Sequence, residues 1–142
     1  MADLDTQMFV GQKAFIERDG TILVLGDPNY RVHGQVGLDF PGGRYRWGGD
    51  LLEELNREII EETGLQVRIG KPFITWTNHN HGTKSPKRIY LVGYLCQYVS
   101  GEVRLSDEHD KFEWVDNETY KNWREKGSYF EALEYYFEHD LK

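Results

Sequence analysis

The sequence predicts an α+β domain, a series of strands interrupted by one capped amphipathic helix and followed by a second. Three observations predict it. Asp19-Gly20 sits between apolar-rich runs at 9–17 and 21–25, a strong short-range hairpin signal. Asp50 with Glu53 three residues on forms a capping box, followed by a stripe of Leu51, Leu52, Leu55 and Ile59 and closed by Gly64. Runs at 66–76 and 88–99 carry the aromatic and β-branched residues of strands. The 142 residues suit a single domain over 1–142, with 1–7 as a flexible N-terminus.

The remaining elements follow in order. Gly, Pro and Asn over 27–37 read as a loop, and 38–40 as a short strand ending at Pro41-Gly42-Gly43. A polar loop is expected over 77–87 and a strand over 112–115. A helix begins at Glu118 and breaks at Gly127; Ser128 with Glu131 then forms a second capping box. Phe130, Leu133, Phe137 and Leu141 line the face of that last helix.

Composition narrows the class. A content of 39% hydrophobic, 14% aromatic and 29% charged residues is that of a globular domain. The apolar runs are too short to cross a bilayer, and the acidic start does not resemble a targeting peptide. The lone Cys96 lies in an apolar strand pattern and fits a core position in a reducing cytoplasm. A net charge of −7 argues against a chain built to coat nucleic acid. Two segments carry that acidity. In residues 128–142 the carboxylates lie off the apolar face, as on any solvated helix.

The segment 50–62 is different, with six acidic residues against Arg57 alone. Glu54, Glu58 and Glu62 recur every four residues, and Glu58 and Glu61 are three apart. Like charges at these spacings share a face and cost about 0.2–0.5 kcal/mol per pair. Glu61 and Glu62 also occupy the helix C-terminus, where the macrodipole disfavours anions. A divalent cation resolves the conflict, since clustered carboxylates are hard oxygen ligands; a solvated acidic face is the alternative. The Gly42-Gly43 turn ahead of the helix permits close approach of backbone to a ligand.

Residues 43–65 resemble the signature of the Nudix hydrolases. Gly43 matches its opening glycine, and Arg57-Glu58-Ile59-Ile60-Glu61-Glu62-Thr63-Gly64-Leu65 matches every fixed position of its second half. The family's first glutamate falls on Gly49, and residue 46, commonly acidic in relatives, is Arg46. Glu53, one turn before Arg57, is the local substitute for the missing carboxylate.

The resemblance implies an α/β/α sandwich: a mixed β-sheet with the box helix on one side and C-terminal helices packed on the sheet. It implies Mg²⁺, with Mn²⁺ as a substitute, held by Glu58, Glu61, Glu62 and the Gly43 carbonyl. Arg57 orients a glutamate. The general base is Glu58 or a glutamate of the later loop 105–110, for which Glu108 is the candidate. The implied reaction is attack of metal-activated water on a nucleoside diphosphate linked to another moiety.

Arg44, Arg46 and Lys87 are candidates for phosphate contact, although a charged hairpin loop also explains Lys84 to Arg88. Trp76, Tyr90 and Trp114 fit either base stacking or the core, and His79 and His81 either a metal or solvent. The Ser-Gln-Pro-Trp-Pro-Phe-Pro run of NADH-cleaving members is absent after Leu65. The proline of many ADP-ribose hydrolases falls on Asn80 or His81, and the tyrosine of dinucleoside polyphosphate hydrolases is missing. A nucleoside triphosphate, a damaged nucleotide and a nucleotide sugar stay open as substrates. So does a homodimer, and so does a nucleotide-binding or regulatory module with chemistry weakened at Gly49. No membrane association or stable nucleic-acid complex is expected.

Overall fold

The computed structural model describes residues 8–32, 34–79, 88–124, 127–139 and 141. The N-terminus 1–7 and most of the 77–87 loop, with His81 and Lys87, lie outside them. Strands β1 (Met8–Arg18) and β2 (Thr21–Val32) form the hairpin at Asp19-Gly20, where Asp19 (φ 51°) and Gly20 (φ 81°) both take the left-handed conformation that such a turn needs. Strands β3 (Gln35–Asp39) and β4 (Gly42–Arg44) follow, then helix α1 (Leu51–Thr63). Next come β5 (Gln66–His79), β6 (Arg88–Ser100) and β7 (Lys111–Val115). A 3₁₀ turn (Thr119–Trp123) and helix α2 (Tyr129–Glu138) complete the fold.

The strands make one mixed sheet in the order β3-β2-β1-β6-β5. Strand β1 runs parallel to β6 from Met8↔Arg88 to Glu17↔Gln97. Its other edge is shared: β2 pairs with it only at the hairpin end, and β4 pairs with it at Gly11 to Lys13. Strand β2 diverges to pair with β3 and β7. The gap so created is bridged by the Ala14 N–H donating to the Pro41 carbonyl.

Strict alternation along β1 and β2 builds two cores. Phe15, Ile22 and Val24 face α2 and the 3₁₀ turn, with Phe40 and Trp76. Ala14, Ile16, Leu23 and Leu25 face α1. The sheet is therefore the middle layer of an α/β/α sandwich. Trp76 belongs to the first core and Trp114 packs against the second, so neither is a free stacking platform; Tyr90 is exposed.

Several local expectations are corrected. The stretch 27–37 is mostly strand, because β2 continues through a bulge between Asp27 and Arg31 that absorbs Pro28. The Asn29 N–H bonds the Asp27 carboxylate there, which is the turn chemistry that reads as loop. Gly42 to Arg44 form a strand rather than only a turn. The helix expected from Glu118 is a single 3₁₀ turn. Ser128 does not cap α2: its backbone is already helical, and its hydroxyl donates to Asn78 Oδ1 at 2.6 Å. On α1, Leu55 and Ile59 are buried, but Leu51 and Leu52 are nearly half exposed.

At the start of α1 the Asp50 carboxylate accepts from the N–H groups of Leu52 and Glu53. Among the described residues the Glu53 carboxylate makes no return bond, so the cap rests on Asp50 alone. Asp50→Ala should therefore lower stability by about 0.5–2 kcal/mol, while Glu53→Ala should change it by far less. Urea unfolding followed by tryptophan fluorescence checks both.

Candidate active site

The buried face of α1 comprises Leu55, Ile59, Glu62 and Thr63, spaced by one helical turn. Glu62 thus occupies a core position and is only 4% exposed. What receives it is the backbone of β4. The Gly42 N–H donates to Glu62 Oε2 at 2.8 Å. Gly42 has φ 139°, and a side chain there would start 2.0 Å from the Gln12 carbonyl oxygen, so only glycine fits. One turn earlier, the Glu58 carboxylate lies against Gly43, 3.0 Å from where a Cβ would sit. The glycines of the turn thus bring the backbone into contact with both glutamates.

Behind Glu62 is a buried polar network that the sequence did not single out. Lys13 Nζ pairs with Asp39 Oδ1 at 2.9 Å and donates to the Phe40 carbonyl at 3.2 Å. His109 Nε2 bonds Asp39 Oδ2 at 2.9 Å. Burial opposes the Lys13 charge, but Asp39, Tyr129 and Glu62 outweigh it and hold the ammonium well above the ordinary lysine range. Burial opposes the Asp39 charge too, yet Lys13 and His109 keep its carboxyl below the usual range. For His109, burial is outweighed by the bond and charge of Asp39, and the imidazole is raised. Glu62 goes the other way: burial pushes its carboxyl up to about 8, against the pull of Lys13 and the Gly42 N–H.

The other predicted residues divide into two groups. Glu58, Glu62, Glu108, Gly43, Arg44 and Arg46 line one open cleft of about 390 Å³. A second cleft of similar volume is continuous with it through Gly42, Gly43, Arg44, Glu62 and Glu108, and adds Lys13, Asp39, His109 and Tyr129. Arg57 and Glu61 are not part of either lining. The Arg57 guanidinium pairs with Glu61 at 3.1 Å and with Glu58 Oε1 at 3.4 Å, so it ties Glu58 from the solvent side. Arg44 rests over the Phe9 ring at the cleft rim.

The Gly49 position is filled by another carboxylate. Glu54, rather than Glu53, lies 2.7 Å from where a Gly49 side chain would begin, and it faces the Arg46 N–H. Glu54 also adds to the field that holds Arg57 charged, after Glu61 and Glu58. A side chain at residue 49 would displace Glu54.

Among the described residues, three ligand-type side chains converge at Glu62, Glu108 and His109, whose donor atoms lie within 4.8 Å of one another. Donors of this kind fit a divalent cation, and Glu58 and the Gly43 backbone border the same cleft.

The raised Glu62 and His109 make stability depend on pH in a definite sense. Both groups hold protons in the folded state that the unfolded chain releases, so stability falls as pH rises. The Glu62 contribution is complete below about pH 4.5 and is lost as pH passes about 8. Metal-free protein should unfold at lower urea concentration at pH 8 than at pH 5.5, and Glu62→Gln should flatten the slope. A stability that rises across this interval would contradict the placement of Glu62.

A NUDIX domain model matches residues 10–136. A NAD-capped RNA hydrolase, NudC, of Mannheimia succiniciproducens is 32% identical over 90 residues, which cover 61% of this chain and 31% of that protein. An ADP-ribose pyrophosphatase of Methanocaldococcus jannaschii is 25% identical over 107 residues, 75% of this chain and 61% of that one. The chain thus spans about a third to three fifths of the curated relatives it matches. The crystal structure of a MutT protein from Methanosarcina mazei superposes with a TM-score of 0.75 at 26% identity, covering 95% of this chain and 96% of that one. With the box helix, the mixed sheet and the glycine-backed carboxylates in place, the match over most of the sequence means that the chain belongs to the NUDIX family.

Proposed function

We propose that this chain is a divalent-metal-dependent hydrolase of a nucleoside diphosphate linked to another moiety. The observation that carries the reading is the convergence of Glu58, Glu62 and Glu108 on one cleft backed by Gly42 and Gly43. Mg²⁺ or Mn²⁺ would be held there by Glu62 and Glu108, with Glu58 and the Gly43 carbonyl beside them. When bound, the cation supplies charge neutralisation for a diphosphate and a water of lowered pKa.

The chain's own residues supply the rest. Arg57 fixes Glu58 by an ion pair on its outer side, leaving that carboxylate able to accept a proton at the cleft. Glu108, exposed at the mouth, is the alternative base. Arg44 and Arg46 offer cationic contacts to phosphate oxygens at the rim. Glu61, bound to Arg57 and outside the cleft, acts on this reading through Arg57 rather than as a ligand. Names of relatives such as the ADP-ribose pyrophosphatase support a nucleotide-type substrate. The buried thiol of Cys96 suits a reducing, cytoplasmic setting. No helix among the described residues is long and apolar enough to cross a membrane.

The test is phosphate or nucleotide release from a panel of nucleoside triphosphates, ADP-ribose and nucleotide sugars with Mg²⁺ or Mn²⁺. Glu62→Gln and Glu58→Gln should each lower kcat by about 10²–10³, the cost of removing one principal electrostatic contact. Glu61→Gln should lower it less. Equal rates for parent and Glu62→Gln on the best substrate would refute the assignment, and binding without turnover across the panel would favour a regulatory module.

A further inference from the structure

We propose that His109 is a nitrogen ligand of the bound cation, through Nδ1, and that Asp39 is the carboxylate that orients it. The proposal rests on the reading above that the cleft holds a divalent ion, and it changes what kind of ion the site prefers. His109 is 6% exposed, and its Nδ1 is buried with no hydrogen-bond partner among the described residues. Native interiors rarely leave such an atom unpaired. Its other ring nitrogen faces an acceptor: Asp39 Oδ2 is 2.9 Å from Nε2, and a carboxylate that also pairs with Lys13 can only accept. Nε2 therefore keeps its hydrogen, and Nδ1 is the nitrogen that gives up its proton and offers a lone pair when a cation binds. The same imidazole belongs to the group in which Glu62 and Glu108 approach within 4.8 Å.

A histidine held by a carboxylate through one nitrogen and free at the other is the usual arrangement of a metal-bound imidazole. Lys13, anchored on Asp39 and the Phe40 carbonyl, fixes the carboxylate in turn. One nitrogen among oxygen donors favours Mn²⁺, Co²⁺ or Zn²⁺ over Mg²⁺, which takes oxygen ligands.

Pulsed electron paramagnetic resonance of the Mn²⁺-loaded full chain tests this without substrate. The parent should show ¹⁴N modulation, replaced by ¹⁵N coupling when the histidines are ¹⁵N-labelled and lost in His109→Gln with Mn²⁺ still bound. Because His109→Gln removes a buried partner of Asp39 and is at risk of misfolding, a second variant approaches from the other side. Replacing His33, His79, His81 and His139 by Gln leaves His109 as the only one of five histidines, and the coupling should persist. Bound Mn²⁺ without histidine coupling, or coupling that survives in His109→Gln, would overturn the proposal and leave the hydrolase reading standing. A spectrum of free aqueous Mn²⁺ at saturating concentration would overturn both.

Discussion

A carboxylate buried at the end of a helix is the constraint around which this fold is arranged. Glu62 continues the apolar stripe of α1, at the end of the helix where the macrodipole repels an anion. Burial raises its carboxyl to about 8, so a fold selected for stability alone would place an apolar side chain there. The chain instead surrounds it with the Gly42 N–H and, at a distance, the Lys13 ammonium and the His109 imidazole. These partly offset the desolvation and leave room for a further cation.

The topology accounts for how those partners arrive. Because β1 gives one edge partly to β2 and partly to β4, the Gly42 N–H is free to point at α1 while Gly42 remains paired with Lys13. The Lys13 side chain reaches Asp39 at the end of β3, and Asp39 reaches His109 ahead of β7. Four stretches distant in sequence, namely β1, the β3–β4 segment, the end of α1 and the loop ahead of β7, thus meet at one cleft. Preorganisation of this kind is what a metal site requires of its surroundings.

Much of the site was legible from local sequence because a helix writes its contacts at fixed spacing. Asp50 and Gly64 mark the limits of α1, and the four-residue recurrence of Glu54, Glu58 and Glu62 identifies the charged face. What spacing does not reveal is which of those carboxylates is buried; the signal lay in Glu62 falling three residues after Ile59, on the side of Leu55. Lys13 and Asp39 were invisible, since each is a single charge in a strand pattern and only sheet pairing brings them together. His109 lies in the same loop as Glu108, and only the fold brings it to Asp39. β4 was missed because Gly-Gly-Arg has little strand propensity; its pairing with β1 makes the strand. Glu54 rather than Glu53 faces Gly49, a choice set by the path of residues 45–50 and not by helical spacing toward Arg57.

On the proposed function, the carboxylates gathered around the buried Glu62 are completed by a divalent cation. Thermal unfolding near pH 7.5, over a series of Mg²⁺ and Mn²⁺ concentrations at constant ionic strength, measures it most directly. Binding to the folded state alone predicts a Tm that climbs with metal, reaching about 2.7 kcal/mol of added stability at one hundred times Kd. Glu62→Gln should raise the metal-free Tm and blunt the response. A parent Tm that stays unchanged through millimolar Mg²⁺ and Mn²⁺ would contradict the account.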